Sequence, residues 1–282
     1  MRNIMLRLAY DGTNYHGFQR QPEEHGRTIQ GELERVWKKL FAEDIKIVTA
    51  GRTDTGVHAA GQVVSFFSEA RIPQEKIPKA MNSLLPRDIR ILEAADVNPE
   101  FNARKSAYWK RYDYLIDNRP IPDVFTRLYS FHVPLRLDVS KMQQAAYNLQ
   151  GRHDFKAFAA AGSSAKSFIR TLYHCQVRQS AGTVTITCIG DGFLYNMVRI
   201  IAGTLIEIGK GKMPVSDLVE ILERKDRTKA GMTAPALGLT LTYVNYDGSK
   251  PSEVFEDIEP NSLEQFIHQN VKYNISKYED LQ

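Results

Sequence analysis

What constrains this chain most is a succession of hydrophobic periods that runs through the same order twice. Residues 4–10 alternate as a half-buried strand does, with Leu6, Leu8 and Tyr10 on one face. Thr28 is placed to cap a helix whose apolar stripe is Ile29, Leu33, Val36, Trp37 and Leu40. Strands follow at 45–50 and 62–68, a helix from about Pro73 to Leu84, and a strand at 89–95. That order is β-α-β-β-α-β.

The second half repeats it. Residues 106–117 alternate, with Tyr108, Lys110, Tyr112, Tyr114 and Ile116 on one face. Asp138 is placed to cap a helix that ends before Gly151, a natural C-terminal glycine. Strands at 172–179 and 183–190 flank a turn at Ala181-Gly182. Helices at 193–208 and 216–224 precede a last strand at 239–246. The halves share no residue-level identity, so the repeat is one of topology. Two ferredoxin-like units side by side give an α+β fold with a mixed, mainly antiparallel sheet, helices on one face and a cleft on the other. The expected organisation is an N-terminal half at 1–105, a C-terminal half at 106–247 that completes the cleft, and an extension at 248–282. That extension opens with Gly-Ser-Lys-Pro-Ser, reads as a linker, and then turns acidic; an added surface helix is the plain expectation.

Composition narrows the function classes. With 43% hydrophobic and 25% charged residues the chain reads as a soluble globular protein. No run approaches the roughly 20 apolar residues of a membrane span, and the N-terminus lacks the apolar core of a signal peptide, which predicts a cytoplasmic protein. The two cysteines, Cys175 and Cys188, form no CxxC, and the seven histidines include no HExxH; no metal site is expected. The stretch 203–212 resembles a phosphate loop, but its glycine spacing is one residue too long and Lys210 is followed by Gly, so nothing argues for ATP or any other cofactor. The formal charge is +4, but residues 248–282 hold three Lys against seven Asp/Glu, leaving 34 basic and 26 acidic residues, a net of +8, in the body. A basic body suits a polyanionic partner such as nucleic acid.

Three segments are equipped for chemistry. In Gly51-Arg52-Thr53-Asp54-Thr55-Gly56-Val57-His58, two glycines frame Arg-Thr-Asp directly after an apolar strand, so the backbone turns sharply and presents short polar groups. Arg52 and Asp54 share a face there and are able to pair; alternatively Asp54 is a turn residue that bonds to its own backbone. In 103–117 basic residues interleave with aromatics, the pattern in which cations meet phosphates and rings stack bases, and equally that of a half-buried strand with ordinary aromatic pairs. In Gly190-Asp191-Gly192-Phe193-Leu194-Tyr195-Asn196-Met197-Val198-Arg199, Arg199 falls in an apolar helix, where it either snorkels or is held by a carboxylate. Asp54 is the candidate partner.

These blocks resemble the TruA family of tRNA pseudouridine synthases over residues 4–246. The resemblance is carried by Tyr10-Asp11-Gly12-Thr13, Gly17-Phe18-Gln19-Arg20-Gln21, the GRTDTGVHA loop and Lys110-Arg111-Tyr112-Asp113-Tyr114. It continues through Phe193 to Arg199 with Gly203-Thr204-Leu205, Asp226-Arg227-Thr228, and Ala234-Pro235-Ala236-Leu237-Gly238-Leu239. The departures are Phe18, where a tryptophan is common, and the C-terminal extension. The resemblance implies the pseudouridine synthase fold and a cofactor-free isomerase that turns uridine into pseudouridine in the tRNA anticodon stem-loop, at positions 38–40. It implies Asp54 as the catalytic carboxylate and Arg199 as the residue that keeps it ionised and oriented. Tyr112 would stack on the base, Leu239 would line the pocket floor, and Arg52 would fill the space left by the flipped nucleotide or brace a phosphate. It also implies a homodimer. The rival readings are a non-catalytic RNA-binding scaffold, which would be expected to lose Asp54 or Tyr112, and an isomerase of another RNA.

Overall fold

The structure, a computed structural model, describes residues 1–22, 26–163 and 165–251. Its elements run β1 (Arg2–Tyr10), α1 (Ile29–Phe41), β2 (Val48–Thr49), β3 (His58–Ser68), α2 (Ile77–Asn82), β4 (Ile89–Val97), β5 (Trp109–Asp117), β6 (Phe131–His132), α3 (Val139–Asn148), β7 (Gly151–Asp154), β8 (Ile169–Ser180), β9 (Thr183–Gly190), α4 (Met197–Gly209), α5 (Val215–Arg224) and β10 (Leu239–Asn245). The acidic part of the extension, 252–282, lies outside the described residues.

The helices start where their caps dictate. The Thr28 side chain accepts from the Gly31 amide, and that of Asp138 from the Lys141 amide. Ile29, Leu33, Val36 and Trp37 of α1 are buried as one stripe, and Leu40 packs partly buried beside them. Elsewhere the boundaries moved. Only Val48–Thr49 of the expected strand at 45–50 pairs, and the expected helix at 73–84 splits into a 3-10 turn at Gln74–Lys76 and the short α2. The expected helix at 193–208 begins only at Met197, because Asn196 is in the left-handed region at φ 60° and breaks the helical run. Two short strands, β6 and β7, carry no alternation and were not anticipated.

The strands form one mixed sheet in the order β4-β1-β3-β10-β5-β9-β8-β7, with β2 on the edge of β3 and β6 beside β5. All its pairs are antiparallel except β3–β10 and β5–β6. Each run of four, β4-β1-β3-β2 and β10-β5-β9-β8, follows the same order relative to its own β-α-β-β-α-β sequence. Registered partners share a face. Tyr10 lies beside Ala59, Ala59 beside Leu241, Leu241 beside Tyr112, and Tyr112 beside Cys188. On that face Phe66 meets Trp37 of α1, ring centroids 4.7 Å apart, and α3 and α4 pack farther along. Both helical layers therefore cover the same side of one continuous sheet. The helix-bearing face, not the bare face expected from sequence, is where the side chains of interest converge, over the β3–β10–β5 junction.

Candidate active site

The loop between β2 and β3 is held from several directions. The Gly51 carbonyl accepts from Gln62 Nε2 at 2.7 Å and from Thr49 Oγ1 at 3.2 Å, and the Thr53 hydroxyl pairs with that of Tyr10 at 2.7 Å. The segment after β1 braces the far side: the Phe18 amide donates to the Thr53 carbonyl at 3.0 Å. The approach is close enough to require glycine. A Cβ on Gly12 would stand 2.0 Å from the Val57 carbonyl oxygen, and Gly17 combines φ +86° with a 2.9 Å approach to Thr53 O.

Held this way, the loop offers Asp54 to α4. An Arg199 Nη1 lies 3.6 Å from Asp54 Oδ2, an ion pair longer than a hydrogen bond. Arg199 is fixed independently: Nε donates to the Ala234 carbonyl at 2.7 Å and Nη1 to Asn196 Oδ1 at 2.8 Å. Burial raises the Asp54 pKa above the ordinary aspartate value, and Arg199 opposes that shift without cancelling it. Arg52 does not take part in this pair. Its side chain is exposed and makes no ion pair or hydrogen bond among the described residues.

Tyr112 stands beside the loop because Gly51 has no side chain: a Cβ there would sit 3.3 Å from Tyr112 Oη. Its ring meets Phe193 edge-on at 5.0 Å and is only 7% exposed. Burial, with Tyr10 and Asp54 nearby, pushes its phenol far above the ordinary range. Leu239, buried at the start of β10, lies opposite Tyr114. The turn before it wraps Tyr114, whose hydroxyl donates to the Pro235 carbonyl at 2.8 Å. The block at 234–239 thus supports both Arg199, through Ala234, and the wall formed by β5.

Three residues whose part the sequence did not disclose also meet here. In its neutral form Nε2 of His58 donates to the Leu237 carbonyl at 3.2 Å and Nδ1 accepts from the Gly12 amide at 3.1 Å, with Asp11 Oδ1 also 3.2 Å from Nδ1. Burial lowers its pKa and favours this neutral form. His58 so ties the loop's end to both neighbouring segments. Phe193, freed by the late start of α4, edges Tyr112. Lys110, two residues from Tyr112 on the same face of β5, is buried with its stem against Gly51. Its place in the basic, aromatic strand was visible beforehand; its burial against Gly51 was not.

The fold and this cluster belong to a chain with well-defined relatives. A family model described as tRNA pseudouridine synthase matches residues 8–104 and 145–247, and the chain belongs to that family. It is 51% identical over 243 residues to a protein named tRNA pseudouridine synthase A in Moorella thermoacetica, covering 86% of this chain and 99% of the relative. Its identity to the protein of that name in Brevibacillus brevis is 47%, over 87% of this chain and all of the relative. The chain is accordingly an isomerase acting on uridine in tRNA.

Proposed function

We propose that this enzyme makes pseudouridine at positions 38–40 of the tRNA anticodon stem-loop, with Asp54 as the catalytic carboxylate. The observation that carries the assignment is the half-buried Asp54, faced by a separately anchored Arg199 at 3.6 Å inside a braced loop. The reaction breaks the bond from uridine N1 to ribose C1′, turns the base, and joins C5 to C1′; the C5 proton leaves and N1 gains one. No electrons are exchanged, so side chains suffice. Asp54 supplies the ionised carboxylate that acts on the nucleotide, and Arg199 orients it and offsets its burial.

A uridine inside a paired stem must leave its stack to reach Asp54. Tyr112 then meets the base, and because its ring is buried with Phe193 edge-on against it, the loop at 191–196 yields for stacking to occur. Leu239 lines the pocket beneath. Arg52, exposed beside the loop, is free to brace a phosphate or occupy the vacated stack. Neighbouring target positions suit recognition by shape and backbone, which the basic body of the chain favours.

The division at 105/106 into an N-terminal half with the loop and a C-terminal half that completes the cleft draws support from the repeated strand order and the two matched stretches. A cytoplasmic homodimer, in which one subunit grips the tRNA body while the other modifies it, follows from the family resemblance. No helix among the described residues is long and apolar enough to cross a membrane. The test is to incubate the protein with unmodified tRNA transcript and map pseudouridine by carbodiimide labelling. Product at 38–40 is expected; product elsewhere, or none, overturns the assignment.

A further inference from the structure

Lys110 is a buried cation without a counter-charge at contact distance. It is 9% exposed, and neither an ion pair nor a hydrogen bond engages its ammonium among the described residues. Its Cδ and Cε lie 3.7 and 3.8 Å from where a Cβ of Gly51 would be, and Tyr112 Oη lies 3.3 Å from that same point. The lysine therefore stands at the root of the Asp54 loop, alongside the tyrosine. Two more cations act on it, Arg104 from the segment before β5 and Arg170 from β8. Arg170 is steadied by the carbonyls of Ser167 and Ile169, at 3.0 and 2.6 Å. Asp191 also acts on Lys110, but its carboxylate accepts from the Thr171 amide at 3.0 Å and forms no ion pair with the lysine.

Burial, reinforced by the two arginines, brings the Lys110 pKa down to about 8. The ammonium is still protonated at neutral pH, at a desolvation cost that Asp191 offsets only in part. A buried ammonium in the field of two arginines, one from the segment before β5 and one from β8, fits an oxyanion with several acceptors, and the substrate carries one on each side of every nucleotide.

We propose that Lys110, buried against Gly51 beside Tyr112, binds the backbone phosphate adjoining the uridine that is isomerised. The site rests on the assignment of function above and adds to it a specific anchor: the base turns beside Tyr112 while the neighbouring phosphate is held at Lys110.

The test pairs protein and RNA changes. Wild type, Lys110→Met and Lys110→Arg are titrated with synthetic anticodon stem-loops that carry a neutral methylphosphonate at the linkage 5′ or 3′ to the target uridine, or at neither. At one of the two linkages the neutral group should weaken wild-type binding about tenfold, the worth of a charge-assisted hydrogen bond. Lys110→Met should weaken unmodified RNA by a similar factor and be indifferent to that methylphosphonate. Its slope of log affinity against log salt should drop by roughly 0.7–0.9, one phosphate contact. Lys110→Arg should retain most of the binding. Losses that add at both linkages, or wild-type affinity and slope in Lys110→Met, overturn the site. Should Lys110→Met not fold, the wild-type series decides: no effect of either methylphosphonate overturns it. Pseudouridine mapping of the wild type separates the two claims, since an inactive wild type sinks the assignment of function, whereas an active one with additive losses sinks only this site.

Discussion

Arg199 faces Asp54 at 3.6 Å, yet its closer contacts are to Ala234 and Asn196, at 2.7 and 2.8 Å. The arginine is thus positioned without the carboxylate, and the carboxylate is carried by a loop braced from β1 and β3. Charge can be removed from one partner while the geometry of the other persists.

Asp54→Asn is therefore expected to fold, bind tRNA and make no pseudouridine. The amide keeps the shape but loses the charge and the nucleophilic oxygen, while phosphate and shape contacts do not pass through this group. Near wild-type turnover by a folded, tRNA-binding variant would reduce the loop to a structural turn. Calorimetry, filter binding and carbodiimide mapping on one preparation give the three readouts.

The same variant has a signed effect on stability. Burial raises the Asp54 pKa in the folded protein, so the carboxyl favours folding below its unfolded pKa, and that contribution is lost as pH rises through the folded value. At neutral pH the ionised group is a net cost, and Asp54→Asn should melt at or above the wild-type temperature. The difference should close or reverse near about pH 4, where aspartate takes up its proton. A variant clearly less stable than wild type at neutral pH would show that Arg199 depends on the charge.

Tyr112→Phe should retain the melting temperature and most activity, since the Tyr112 hydroxyl makes no hydrogen bond among the described residues. Tyr112→Ala removes a buried ring and should cost about 3–5 kcal/mol of stability, along with roughly 1–3 kcal/mol of base stacking. Assayed well below its melting temperature, the alanine variant should turn over far more slowly than the phenylalanine one. Equal rates would remove stacking at this position from the mechanism.

Gly12→Ala tests the bracing of the loop. The added Cβ would meet the Val57 carbonyl at 2.0 Å, and either segment must move. About 1–3 kcal/mol of stability should go, as overpacking costs. Because the displaced backbone is the one that aims Asp54, kcat should fall more than RNA affinity. Unchanged kcat would mean that the loop is placed without the segment after β1.

Deleting 252–282 should leave an active enzyme, since the relatives are matched over 99–100% of their own length while 86–87% of this chain is used. Cutting after Asp247 should do harm, because Ser249 supplies the carbonyl that accepts from Trp109 Nε1 at 2.8 Å. The 248–252 stretch read as a plain linker thus begins as part of the packed body. Melting curves and turnover of the two truncations should separate; identical behaviour would count against the Trp109 contact.

Periodicity and cap chemistry belong to the sequence, because they are properties of neighbours along the chain. Thr28 and Asp138 cap where expected, the α1 stripe is buried, and the order of the longer strands and helices, though not β6 and β7, could be read from alternation. Asp54 stood out by its glycine frame, and Arg199 by being a charge in an apolar helix, so their pairing could be anticipated. Element ends were less legible where a single backbone choice decides them, as the left-handed Asn196 does for α4.

What only the tertiary structure decided is which surfaces face one another. The parallel junction of β10 with β3 puts both helical layers on one side of the sheet and brings the site there. The distance from Lys110 to Gly51, the clamp of His58 on Gly12 and Leu237, and the edge of Phe193 on Tyr112 all arise between segments far apart in the chain. No local pattern encodes such contacts, since each depends on how the whole sheet registers. The rise in the Asp54 pKa is of the same kind: a charge's cost comes from the burial around it, and burial exists only once the chain has folded.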